Sequence, residues 1–160
     1  MLVLLALALA LSACAVPRER DDMDLVKVAA GDDEVTAIFE RYRTVRNTAI
    51  SLLDPKPLST VESGAVLAID SGSFEVAQRL STGGGQEESA ADVVQVATPR
   101  FSRYPLWFLA VVRDEDREVN RVQIFERESA AAPWLLVATP ETLLDAELPE
   151  LRIDDGVAVR

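Results

Sequence analysis

The chain has 160 residues, 49% of them apolar, which is enough for one domain with its own core and too apolar for a disordered segment. Its 27 acidic against 16 basic residues leave a net charge of −11, which repels nucleic-acid phosphates and excludes nucleic acid as a partner. Histidine is absent and Cys14 stands alone among cysteines, so Ser-His-Asp and Cys-His catalysis, the usual zinc sites and an intrachain disulfide are all excluded.

Met1 is followed by an uncharged apolar run, Leu2 to Leu11. Its length suits a signal h-region and falls short of the roughly 20 apolar residues needed to cross a bilayer. The run ends on Leu11-Ser12-Ala13-Cys14. Here the chain resembles bacterial lipoprotein precursors, whose lipobox reads leucine, small, small, cysteine. The resemblance implies that residues 1–13 are a signal peptide and that cleavage falls before Cys14. It also implies a diacylglyceryl thioether on Cys14 and a further acyl chain on the new amino group. The expected location is then the extracytoplasmic face of the cell membrane, and the expected first partner is that membrane. Two acyl chains, at about 0.8 kcal/mol per buried CH₂, give stable anchoring where one would be marginal. The rival readings are an ordinary secretory signal with an incidental cysteine, or a buried N-terminal helix. An exposed free thiol on a mature chain argues against the former.

Residues 14–31 are charged and irregular, with Arg18-Glu19-Arg20-Asp21-Asp22, and read as a tether. The domain is expected over 32–147. Asp32 or Asp33 is placed to cap a helix whose apolar positions Val35, Ile38, Phe39, Tyr42, Val45, Ala49, Leu52 and Leu53 follow helical spacing, with Arg41, Arg43 and Arg46 on or near the other face. Asp54-Pro55-Lys56-Pro57 ends it. A short helix is expected over about Ser59 to Glu62 and a longer one over about Ala65 to Leu80. In the longer one Val66, Ile69, Ser73, Val76 and Leu80 form a helical stripe that Leu67 and Phe74 widen; a strand at Ala65–Ile69 with a turn at Asp70-Ser71-Gly72 is the rival.

Beyond the loop Ser81-Thr82-Gly83-Gly84-Gly85-Gln86 the pattern turns to strands. These are Asp92–Ala97, Pro105–Val112, Val119–Glu128 and Trp134–Ala138, with Asp114-Glu115-Asp116 as a turn and a helical turn from Thr139-Pro140-Glu141. Residues 148–160 show no clear element and read as a tail, or as a linker to a second domain.

Helices followed by an antiparallel meander give an α+β fold: N-terminal helices packed on a curved antiparallel sheet of about four strands. The order resembles the cystatin-like, nuclear-transport-factor-two-like roll, at the level of architecture. A closer resemblance is carried by Phe39-Glu40-Arg41-Tyr42-Arg43, Leu53-Asp54-Pro55-Lys56-Pro57-Leu58, Ala68-Ile69-Asp70-Ser71-Gly72-Ser73-Phe74 and Arg103-Tyr104-Pro105-Leu106-Trp107-Phe108. On these residues the chain resembles a group of uncharacterised actinobacterial-type lipoproteins, and looks like the N-terminal part of longer members.

A roll of this kind often holds a pocket between its long helix and its sheet. Tyr42, Asp70, Trp107, Phe108, Gln123 and Phe125 are the residues expected around it, the aromatic ones offering flat apolar walls with a polar handle. Core packing is the competing role for all six, and Asp70 could instead cap a helical segment from Ser71. The many acids raise the question of paired-carboxylate chemistry. None lies in an apolar strand where burial would raise its pKa, and Glu126 and Glu128 read as solvent-facing. Asp114-Glu115-Asp116 falls short of the six or more ordered oxygens of a calcium loop. Arg100, Arg103 and Tyr104 with Arg41 and Arg43 could form a small basic patch, or simply offset nearby carboxylates. No catalytic residue, metal or cofactor is expected. The function that follows is a membrane-anchored, extracytoplasmic, non-enzymatic binding module for an unknown protein or envelope ligand. The alternatives are a pocket that binds or modifies a small apolar molecule, and a structural spacer for a C-terminal domain.

Overall fold

The computed structural model describes residues 26–82, 92–115, 117–146, 153–154 and 157–158. The signal, Cys14 and most of the tether lie outside the described residues, as does most of the tail.

The expected long helix is present as α1, Asp32–Leu52. Its cap differs from expectation. Gly31 holds the extended N-cap conformation, and Asp32, Asp33 and Glu34 occupy the first turn. There a carboxylate faces the positive end of the helix dipole without having to leave helical geometry. The helix closes at Leu53, in the left-handed conformation, whose N–H bonds the Ala49 and Ile50 carbonyls. A 3₁₀ turn, Lys56–Thr60, replaces the short helix expected slightly further on. The second helix, α2, runs Gly64–Leu80 and excludes the rival strand.

The buried face of α2 lies on the Val66 and Phe74 side of the expected stripe and leaves its other side to solvent. Val66, Phe74 and Ala77 are buried, whereas Ile69, Val76 and Leu80 are 68%, 53% and 67% exposed. Both faces of α2 carry apolar residues, so periodicity alone could not choose between them. Phe74 is much the largest side chain on either face, and its burial sets the rotation.

Before α1, β1 (Lys27–Val28) pairs with β3 (Arg100–Phe101), and Ala29 and Ala30 are buried. The folded chain therefore includes residues assigned above to the tether. The main sheet is open and antiparallel, ordered β2 (Asp92–Ala97), β4 (Leu106–Asp114), β5 (Val119–Arg127) and β6 (Leu135–Ala138), with β7 (Glu141–Leu143) also on β5. The architecture is thus α+β, as the meander implied.

The chain stays extended through Thr139-Pro140 where a helical turn was expected. Strand β6 pairs with one end of β5 and β7 with the other. Pro140 has no N–H to donate, but its carbonyl accepts from the Val122 N–H at 2.9 Å. The edge row is broken there, not ended. A small hairpin, β8 (Ile153–Asp154) with β9 (Val157–Ala158), forms in the segment read as lacking structure.

Alternation along β4 and β5 decides which side chains meet the helices. Phe108 and Phe125 are register partners and stack at 5.1 Å between centroids. Phe39 and Tyr42 of α1 approach Phe125 edge-on, and Trp134 approaches Phe108 in the same way. This aromatic knot joins Val35, Ile38, Val61, Leu106 and Leu136 in the main core. A second, smaller core of Ala49, Ile50, Leu58 and Phe74 ties the end of α1 to α2.

Candidate functional site

Two adjoining features stand where α1 meets the β5–β6 edge: a solvent-open groove and a buried ionic cluster. The groove has a volume of about 260 Å³. Ile38, Tyr42, Val61, Phe125 and Trp134 form its floor, with Ala37, Arg41 and Pro133 exposed at its rim.

The groove owes its shape to Arg127. At the end of β5, its Nε donates to the Ser129 and Ala132 carbonyls, each at 3.1 Å, and its Nη2 donates to the Ala130 carbonyl at 2.6 Å. The guanidinium also sits 6.0 Å from the Trp134 ring centroid. These bonds fold the 128–133 connection tightly enough to bring Pro133 and Trp134 over α1. Glu34 then receives the Arg127 Nη1 at 3.2 Å and the Trp134 indole N–H at 3.0 Å. Arg41, on the next exposed turn of α1, donates from Nη2 to the Thr60 carbonyl at 2.8 Å.

The ionic cluster lies behind the floor. Glu62 is 1% exposed, held by backbone bonds between Val61, Ser63 and Leu136 at the sheet edge. Arg46 of α1 donates from Nη1 to Glu62 Oε1 at 3.3 Å and also to Asp70 Oδ2 of α2. Two carboxylates thus share one guanidinium. Burial, and then the nearby Asp70 charge, push the Glu62 pKa up to about 7. Arg46 and the Tyr42 hydroxyl oppose that rise. With Glu62 protonated, the cluster is neutral. With Glu62 ionised, it carries a net negative charge in a medium that solvates charge poorly.

Tyr42 and Phe125 therefore line one groove, and Phe108 lies stacked against Phe125. Gln123 has the sheet parity of Phe125 and is 2% exposed; its side-chain carbonyl has no hydrogen-bond partner among the described residues. Trp107 does not belong with them. It alternates to the opposite sheet face, paired in register with Glu126 and packed edge-on against Phe101. Asp70 is not in the groove wall and caps nothing: it lies within α2, on Arg46.

Two expectations about charge need correction. Arg46 faces inward, because its position continues the step from Tyr42 to Ala49, and Asp70 keeps the same register with Val66, Phe74 and Ala77 on α2. Glu62 is an acid whose burial raises its pKa, in a connection where no strand pattern marked it. Glu34, Arg127 and Trp134 also went unremarked as a unit, since they meet across about a hundred residues of chain. Elsewhere the simpler readings hold. Asp114 accepts the Arg117 backbone N–H at 3.1 Å and pairs with Arg121 across the hairpin, and Arg43 is offset by Glu40. The exception is Glu126, expected to face solvent: it is partly buried on β5, and burial, followed by the neighbouring Glu128, raises its pKa.

An open antiparallel sheet carrying two helices and an aromatic groove at their junction defines a small α+β domain. Residues 26–159 match the family described as a domain of unknown function, DUF8094, and the chain belongs to that family. Comparison with curated proteins and with solved structures finds no match.

Proposed function

We propose that this chain is a lipid-anchored, extracytoplasmic binding module, and that the groove between α1 and the β5–β6 edge is its binding surface. The observation that carries the reading is the groove itself. Trp134 and Tyr42 give it an aromatic floor beside the Arg41 guanidinium, the residue types on which recognition sites concentrate, and the Arg127 bonds hold that surface in shape. A volume of about 260 Å³ suits one or two side chains better than a drug-sized molecule, which favours a protein or envelope partner over a captured small metabolite. The buried carboxylates support a non-enzymatic role, because Glu62 and Asp70 are spent on Arg46 and do not line the groove.

The anchoring half of the reading rests on Leu11-Ser12-Ala13-Cys14. It is tested by growing a bacterial host that expresses the full chain with radiolabelled palmitate. Label on the wild-type chain, lost with Cys14→Ser together with membrane retention, is the expected outcome. A chain that is never labelled, or one that keeps its label and size with Cys14→Ser, would sink it.

A further inference from the structure

We propose that the groove recognises a peptide segment of a partner protein that sets one apolar side chain beside a carboxylate, with Arg41 as the residue that binds the anionic group. This rests on the groove being the binding surface and adds what the surface selects.

The argument begins with the charges at the rim. Glu34 is already met by Arg127 and by the Trp134 indole, and Arg127 gives three of its five N–H groups to Glu34 and three backbone carbonyls. Those two charges offset each other. Arg41 adds a further positive charge at the rim, exposed and bonded at one Nη2 to the Thr60 carbonyl. A guanidinium presents five donors in a planar fork, so the Thr60 bond leaves most of that fork for a carboxylate. The groove is therefore locally cationic on a chain of net charge −11. An anionic ligand repelled by the rest of the surface is attracted here, which confines it to one site.

The floor sets the apolar half of the ligand. Ile38, Tyr42, Val61, Phe125 and Trp134 are each at most 8% exposed, and the groove opens to solvent above them with room for one apolar side chain at its bottom. It has no enclosed depth for an acyl chain. Ala37 and Pro133 stand exposed at the rim and carry no charge.

The test uses the full chain in lipid nanodiscs, labelled with ¹⁵N at tryptophan, and follows the Trp134 and Trp107 indole signals. The probes are N-acetylphenylalanine and its uncharged amide. The expected result is that both probes shift Trp134 and not Trp107, with the carboxylate binding about tenfold more tightly, the size of one charge-assisted hydrogen bond. Added salt weakens the carboxylate probe and leaves the amide unchanged. Arg41→Ala brings the two affinities together without moving that of the amide, and Arg41→Lys keeps part of the difference. Equal affinities in the wild-type chain, or a difference that survives Arg41→Ala, would overturn the role of Arg41 while leaving the groove as binding surface. Octanoate binding more tightly than N-acetylphenylalanine would overturn the peptide in favour of a lipid. Neither probe moving Trp134, or the shifts falling on Trp107, would overturn the groove reading and this inference together.

Discussion

Glu62 and Asp70, on different elements and eight positions apart, converge on the guanidinium of Arg46, one from the sheet edge and one from α2. The three side chains tie α1, α2 and the start of the sheet edge at one point, directly behind the Tyr42 floor of the groove. Such an arrangement constrains geometry strongly and stability conditionally, because a buried ion pair barely repays the cost of taking its charges out of water.

Protonation of Glu62 makes that conditional stability depend on pH. Its folded-state pKa of about 7 lies above the ordinary value of 4.5, so the folded chain holds a proton that the unfolded chain releases. The contribution is fully present below about 4.5 and is lost as the pH rises through about 7. The loss amounts to about 3 kcal/mol across that window. Glu62→Gln, which keeps an oxygen for Arg46 and cannot ionise, should remove this slope. Urea unfolding of both chains at pH 4.5 and pH 8 measures it: the variant gains on the wild type at the higher pH. Parallel pH profiles would refute the assignment.

Removing the shared cation should cost more than removing either acid. Arg46→Met leaves both carboxylates without their counter-charge and should destabilise the domain by about 3 kcal/mol at pH 8. The loss should shrink at pH 5, where Glu62 holds its proton and one of the stranded charges is gone. Combining Arg46→Met with Glu62→Gln and Asp70→Asn should restore most of the stability, since the uncompensated charge is then gone. Additive losses in the triple variant, read from unfolding midpoints, would show that packing and not charge dominates at this point.

On α2 the two apolar faces should respond differently. Phe74→Ala empties part of the smaller core, where Phe74 is 2% exposed beside Ala49, Ile50 and Leu58, and should cost 3–5 kcal/mol. Ile69→Ser and Leu80→Ser, on the exposed face, should each stay within about 0.5 kcal/mol. Chemical denaturation of the three variants decides it. A large loss at Ile69 or Leu80 would mean that this face is covered in solution.

Much of the fold was legible because it is written in local pattern. The α1 stripe, the glycine-rich loop past Leu80 and the alternation in β4 and β5 each act over a few residues. Boundaries drawn from them lie within a residue or two of α1, α2, β2 and β4. The exceptions have physical causes. Pro140 was read as a helix start, but the neighbouring strand β5 donates its Val122 N–H to the Pro140 carbonyl, and the strand path won. The exposed and buried stripes of α2 differ by a rotation that only Phe74 packing resolves.

The candidate site was legible in part. Tyr42 and Phe125, two of the residues expected around a pocket, do share the groove, whereas Asp70, expected with them, lies on Arg46. Arg46 also stood in the inward register of α1, a signal that its charge concealed. Trp107 and Phe108 could not be separated without knowing which face of the sheet the helices cover.

By itself the sequence determined composition-level facts: a strongly acidic chain without histidine, an apolar run from Leu2 to Leu11 shortly before Cys14, and helices preceding an antiparallel meander. These follow from residue chemistry and short-range spacing, which need no partner to act. The tertiary structure alone decided that Glu34 meets Trp134 and Arg127, that Glu62 is buried with a raised pKa, and that Arg41 is exposed beside an aromatic floor. Those properties depend on desolvation and on contacts between segments far apart in the chain. They come into being only when the helices close on the sheet.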